Sequence, residues 1–378
     1  MALQFTRNAR VFVEFEAGAT IWEVPVLDGF SFSQAINSSE ITISEAGITS
    51  RRARLLFNDN LAPVEWSMST YARPFSSGSP IRTTSPEDPL WAMLMGADTY
   101  ASNQQQFSNS IVSQNVNNHV TGASATNTWD FSGSNTSSFG TSTSKVNIYF
   151  AFQDGSNVQV YKCADSVVNS VTCDFDIEGI ATLQWSGFGQ SLIDETTTVP
   201  TATITEGLTE TSNFIRNRIS TVDLEWAQAS HSPNPDTYSI ILTGGSFSIE
   251  NNINYLVPEE LGLVNKPLAN ITGARSISGN LTCYLDTDIA NSKSGELFAD
   301  LVADTTTVRN TFNMAVNIGG SDAAGPNFTL DLPTAHLEVP VINVEDLLTL
   351  DVTFHGQVSG GDVGNTDEAT IIYRGIDI

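Results

Sequence analysis

Carboxylates are the residues of this sequence best equipped to do chemistry. Asp174 and Asp176 stand two apart and Glu259 and Glu260 are adjacent, and paired acids can serve as general acid and base or cleave a glycosidic bond. Yet 42 acidic residues face 16 basic ones, a formal charge of -26, so neighbouring carboxylates arise here without catalytic cause. His119, His231, His336 and His355 stand apart with no HExxH or other ligand spacing, and no metal or cofactor is expected. There is no GxSxG elbow and no GxxxxGK[ST] loop, and the glycines of "WSGFG" (Trp185 to Gly189) follow a strand pattern but open no helix, so a phosphate cradle lacks its context. Cys163, Cys173 and Cys283 make an odd, scattered set that reads as small buried apolar residues. On these residues an enzyme is not expected.

The single basic cluster is "RRAR": Arg51, Arg52 and Arg54. In so acidic a chain it reads as an inter-subunit contact that neutralises a neighbour's carboxylates, the alternative being a solvated loop. The overall charge repels nucleic-acid phosphates. The N-terminus "MALQFTRNARVFVEFE" lacks the basic and apolar regions of a secretory signal, and no apolar run reaches membrane-spanning length; a soluble, unsecreted product is expected.

The elements that must position these groups are mostly strands. Val11, Val13 and Phe15 alternate with Phe12, Glu14 and Glu16; Cys173, Phe175 and Ile177 with Asp174, Asp176 and Glu178; Val222, Leu224 and Trp226 with Asp223 and Glu225; Leu350, Val352 and Phe354 with Asp351 and Thr353. Period two with acids on one side predicts strands with one dry and one wet face. Two helices are expected, one capped by Asp88 with Pro89 following, before "LWAMLM", and one capped by Ser292 or Ser294, before "GELFADLV".

The chain also repeats itself. "RNARVFVEFE" (Arg7 to Glu16) lies over "RNRISTVDLE" (Arg216 to Glu225), "LDGFSFS" (Leu27 to Ser33) over "LTGGSFS" (Leu242 to Ser248), "STY" (Ser69 to Tyr71) over "TCY" (Thr282 to Tyr284), "LWAMLMGAD" (Leu90 to Asp98) over "LFADLVAD" (Leu297 to Asp304), and "LQWSG" (Leu183 to Gly187) over "VTFHG" (Val352 to Gly356). Five blocks in one order predict two homologous domains, 1–193 and 208–378, joined by an extended, solvated linker at 194–207. The Ser/Asn/Thr-rich stretch 101–145 is then an insertion in the first copy, expected as a surface excursion pinned by Trp129, Phe131 and Phe139.

"VVNSVTCDFDIEGIATLQWSGFGQSL" (Val167 to Leu192) and Tyr238 to Thr287 resemble the major tail tube proteins of long-tailed bacteriophages. The resemblance implies a mainly β (β-rich α+β) fold: two tandem β-barrel or sandwich tail-tube domains, each flanked by one short helix. It implies a structural virion protein whose sheets join across subunits into rings, three two-domain chains giving a pseudo-sixfold ring, with rings stacking into a tube. The partners it implies are other copies of the chain and the tail terminator, tape-measure and tail-tip or baseplate proteins. DNA would pass through without specific binding, making Glu14, Glu16, Asp174, Asp176, Glu178, Asp223, Glu225 and Asp351 candidate lumen-lining acids. A β-rich carbohydrate-active enzyme using paired carboxylates, or a decoration or adhesion module, stays open as an alternative.

Overall fold

The computed structural model describes residues 6–15, 20–47, 51–77, 82–96, 100–101, 106–107, 110–113, 126–130, 146–155, 157–195, 198–205, 208–209, 212–226, 237–261, 264–288, 293–303, 310–320, 325–344, 346–359 and 367–377. The first half contains β1 (Ala9–Phe15), β2 (Thr20–Val24), β3 (Ser31–Glu45), β4 (Arg51–Tyr71), the short β5 (Phe75–Ser77) and β6 (Arg82–Thr84), and helix α1 (Asp88–Met95). Four short strands follow, β7 (Tyr100–Ala101), β8 (Gln106–Phe107), β9 (Ser110–Ser113) and β10 (Thr126–Asp130), then β11 (Val146–Asp154), β12 (Asn157–Asp176), β13 (Thr182–Gly189) and β14 (Ser191–Asp194). The second half contains β15 (Thr221–Trp226), β16 (Thr237–Ser239), β17 (Leu242–Glu250), β18 (Ile253–Leu256), β19 (Ala269–Thr272), β20 (Ser276–Tyr284), helix α2 (Ser294–Ala303), β21 (Phe312–Ile318), β22 (Asn327–Leu337), β23 (Val341–Val344), β24 (Leu348–Gly356), β25 (Thr370–Arg374) and β26 (Ile376–Asp377). The fold is mainly β.

Pairing follows one scheme twice. In the first half β2, β1, β11, β12 and β14 form one layer, and β3, β4, β13 and the C-terminal part of β12 form the other. In the second half β16, β15, β21, β22 and β25 correspond to the first layer, and β17, β20, β24 and the end of β22 to the second, with β23 continuing along β24. Even the register shift recurs, between Val146 and Ile148 and between Phe312 and Met314. Inward alternation fills the space between layers, with Val13, Trp66, Phe150, Trp185, Phe247 and Phe354 all buried. Trp185 satisfies its indole by donating to Thr70 Oγ1 at 2.9 Å, as a buried donor must.

Several sequence expectations change. Alternation in β15 is complete, but β1 buries Phe12 on its supposedly wet side, in a small second core with Ala151 and Val160. The linker provides its cover. Val199 and Ala202 pack on that core, Thr203 exchanges hydrogen bonds with Ile21, and Ile204 bridges to Trp22, so this part of the linker is docked along one side while Thr198, Thr201, Thr203 and Thr205 stay exposed. The 101–145 stretch is not wholly an excursion either: β10 pairs with both β9 and β25, adding two strands to the second half's sheet. Phe131 and Phe139 and the side chain of Trp129 lie outside the described residues.

Glu87 takes the N-cap position of α1 without a side-chain capping bond, and Asp88 is the first helical residue, held instead by the Ser85 hydroxyl at 2.7 Å. Pro89 takes the first turn and Gly96, at φ 85°, closes the other end onto Ala92, a left-handed stop that glycine adopts without a Cβ penalty. Ser294 does not act as the expected cap; its hydroxyl bridges Tyr284 O and Asp286 N, tying α2 to the end of β20. Ser292 lies outside the described residues.

Candidate assembly site

The two halves are joined by main-chain hydrogen bonding. Ser170–Asp176 of β12 pairs antiparallel with Gly244–Glu250 of β17, so the second layers of the two halves become one sheet in the order β3, β4, β13, β12, β17, β20, β24, β22. Glycines allow the close approach at this seam: a Cβ on Gly245 would lie 2.5 Å from Asn280 O and 2.7 Å from Phe175 Cζ.

One face of this sheet is dry and the other polar. Across the polar face side chains link strand to strand: Ser31 to Ser67 (2.8 Å), Gln184 to Asp174 (3.2 Å), Ser170 to Ser186 (2.7 Å), Ser246 to Asn280 (2.6 Å), Thr282 to Asp351 (2.7 Å) and Asn343 to Asp351 (2.6 Å). Such cross-strand pairs hold the register that keeps every apolar residue on the other side. An open cavity of about 890 Å³ lies over the seam, walled by Tyr71, Asp174, Asp176, Gln184, Asn280 and Thr282.

The sheet ends in two open edges. Among the described residues β3 pairs only with β4, and β23 only with β24. Val339, Val341 and Val344 at the second edge are 53%, 61% and 80% exposed. Unpaired edges with apolar side chains are templates for another strand. From the other end of the sheet the β3–β4 ribbon continues past β13, whose pairing stops at Val64, as far as Glu45 paired with Arg51. Residues opposite each other share a face, so Ile41, Ile43, Ala53, Leu55 and Phe57 form an apolar side, and Thr42, Ser44, Arg52 and Arg54 lie on the other side together with Leu56, which is 70% exposed. Ile41, Leu55 and Phe57 are 52%, 47% and 47% exposed.

The eight lumen candidates separate. Asp174, Asp176 and Asp351 share the polar face of the continuous sheet. Asp176 ends β12, accepting from Gly179 N at 2.6 Å, and Glu178 lies beyond the strand with Ile177, which is exposed because alternation has stopped. Glu14 belongs to the other layer, half-buried under Asn147 and Tyr149, which donate to it at 2.7 and 2.6 Å. Asp223 and Glu225 lie on β15, also in the other layer, with Asn317 donating to Asp223 at 2.8 Å. Glu16 lies outside the described residues. Arg52 and Arg54 are exposed on the ribbon, where Arg54 meets Glu40 at 3.2 Å; the side chain of Arg51 lies outside the described residues.

A buried ionisable cluster escaped the sequence reading. Glu87 and Asp88 are 1% and 3% exposed, and burial pushes their carboxyls up to about 7 and about 8. Glu87 accepts from Arg73 N at 3.0 Å, and Trp91 Nε1 donates to Tyr373 of β25 at 2.8 Å. This ties the segment after β4, α1 and β25 together. The dipeptide's place before Pro89 was the available signal, but it reads as a surface cap until the second half is laid on it. All three cysteines are free and buried, and burial raises the Cys163 and Cys283 thiols to about 12. Among the described residues no group of three or more His, Cys, Asp or Glu is arranged to hold a metal ion, and no helix is long and apolar enough to cross a membrane.

The geometry combines a polar sheet face, two open edges and a projecting ribbon. The sequence profile of the phage tail tube protein family matches residues 76–356. Tail tube protein pb6 of Escherichia phage T5 is 30% identical over 375 residues, an alignment covering 97% of this chain and 75% of that protein. With a family match over most of its length and a relative aligned nearly end to end, the chain belongs to the phage tail tube proteins.

Proposed function

We propose that the chain is two fused tube domains, 1–193 and 208–378, and that three chains close head to tail into a pseudo-sixfold ring. Rings then stack into the virion's tail tube, an acidic conduit for the genome. The observation that carries this reading is the β12–β17 seam. Transferred to the open edges, it lays Leu337–Ile342 of one chain antiparallel to Phe30–Gln34 of the next, with Leu337 opposite Gln34 as Val171 is opposite Ile249. The contact is heterologous, and closure of the ring removes both edges. The polar face of the sheet then lines the lumen, with Asp174, Asp176 and Asp351 from the candidate set and Glu14, Asp223 and Glu225 in the outer layer. DNA passes without specific binding because carboxylates repel its phosphates. The ends of such a tube meet the terminator, tape-measure and tail-tip or baseplate proteins. The protein is made in the bacterial host cytoplasm and resides in the virion tail.

End-on electron microscopy of assembled protein tests the reading: three chains with six similar lobes are expected. Val341→Lys, a charge on an exposed edge, should abolish rings while leaving the monomer's melting temperature within a few degrees. Monomers of the unaltered chain at every concentration would refute the ring, and closed trimers that never stack would favour a decoration module.

A further inference from the structure

The two helices are equivalent in the strand order but differ in exposure. All eight residues of α1 are buried, whereas α2 buries only Ser294, Leu297, Asp300 and Leu301. Aligning "LWAMLM" with "LFADLV" sets Trp91 over Phe298 and Met95 over Val302; Met95 is 3% exposed and Val302 53%. The cover on α1 comes partly from β12, β10 and Trp185 and partly from the second half of the same chain. Tyr373 receives the Trp91 indole, and Asn251, just past β17, donates through Nδ2 to Leu94 O at 2.8 Å in the helix's last turn. Among the described residues no side chain donates to the last turn of α2 in this way.

Aligning "GGSFSIEN" with "GFSFSQAI" sets Asn251 over Ile36, and Ile36 is 54% exposed just past the corresponding part of β3. Within the chain Asn251 reaches Leu94 O, which aligns with Leu301; at the position corresponding to Asn251 stands the apolar Ile36, and the residue after Leu301 is the exposed Val302. Burying both is favourable at roughly 25 cal/mol per Å² of apolar surface removed from water.

We infer that the last turn of α2 is a docking surface for a second copy of this chain, with Val302 packed against Ile36 at the base of the neighbour's β3–β4 ribbon. This rests on the head-to-tail ring and adds to it a contact outside the sheet, which locks the angle between neighbouring chains where main-chain pairing alone permits twist. The ring then closes only when both the sheet edge and the helix are engaged.

The test is the double variant Ile36→Cys with Val302→Cys, oxidised after assembly and run on a non-reducing gel. The native thiols are buried and their pKa values raised, so background coupling is low. Covalent trimers are expected as the end point, and dilute monomer should not cross-link. Val302→Asp should cut the ring yield at least tenfold without changing the monomer's melting temperature. Rings visible by microscopy that neither cross-link nor respond to Val302→Asp would overturn the helix contact and leave the ring standing. Absence of rings from the unaltered chain would instead overturn the reading on which it rests.

Discussion

At the scale of single residues, the polar surface of the seam and the buried Glu87–Asp88 pair obey opposite rules. Asp174 and Asp351 stay in contact with water and accept from neighbouring amides and hydroxyls. Asp88 loses water almost entirely; desolvation raises its pKa to about 8, the Ser85 hydroxyl opposes that rise, and the Glu87 carboxylate adds to it. Arg73 and Tyr373 are the other ionisable groups acting on the pair. A carboxyl whose folded pKa lies above its unfolded value keeps its proton in the fold after the unfolded chain has lost it. Its contribution to stability is therefore fully present below pH 4 and is lost as pH rises towards 8, with a limiting slope of about 1.4 kcal/mol per pH unit per group. Asp88→Asn removes the ionisation and preserves the shape. Urea unfolding of the isolated chain between pH 5 and pH 8 should show the variant gaining on the parent as pH rises; parallel profiles would mean that Asp88 is ionised in the fold.

Among the elements, the β3–β4 ribbon is the least self-sufficient. From Ser38 paired with Asn58 to Glu45 paired with Arg51 it has no other strand partner among the described residues, and a lone two-stranded ribbon is marginal in water. Its counterpart, β18 with β19, is braced instead: Tyr255 donates to Asp165 O, Ile253 N to Asn169 Oδ1, and Gln190 to Pro267 O, all at 2.7 to 2.9 Å. The apolar side of the free ribbon, Ile41, Leu55 and Phe57, is about half exposed and open to cover by another chain, and Arg52 and Arg54 on the opposite side suit the acidic surface of a neighbour. We propose that it makes the axial contact between rings. Leu55→Ser with Phe57→Ser should leave rings intact and shorten tubes at least severalfold in negative-stain images; tubes of normal length would free the ribbon from that role.

For the whole molecule, a closed ring lined by the polar sheet face would carry carboxylates around the channel in a chain with few compensating cations. Repulsion at such a wall keeps a polyanion from adhering during passage, and a charge on the wall is felt over about a Debye length, ~8 Å at physiological ionic strength. Asp174→Lys with Asp351→Lys should slow DNA release from assembled particles, more strongly at low salt than at high. Release kinetics identical to the parent would remove the electrostatic claim without touching the architecture.

Much of this was readable in the residues alone. Period-two alternation depends only on the backbone's pleat, so β15 and β24 appear in the sequence as they do in the fold, and collinear blocks such as "GFSFS" over "GGSFS" marked equivalent strands before any pairing was known. Which acids share a surface was not readable, because a strand's wet face is defined only by the layer it joins: Glu14 and Asp174 look alike in sequence and lie in different layers. The docking of the linker onto Phe12, the burial of Glu87 and Asp88, and the exposure of Val302 beside the burial of Met95 are likewise settled by what packs against each segment from far along the chain. Local sequence determined the strands; long-range contacts decided which faces meet protein and which meet water.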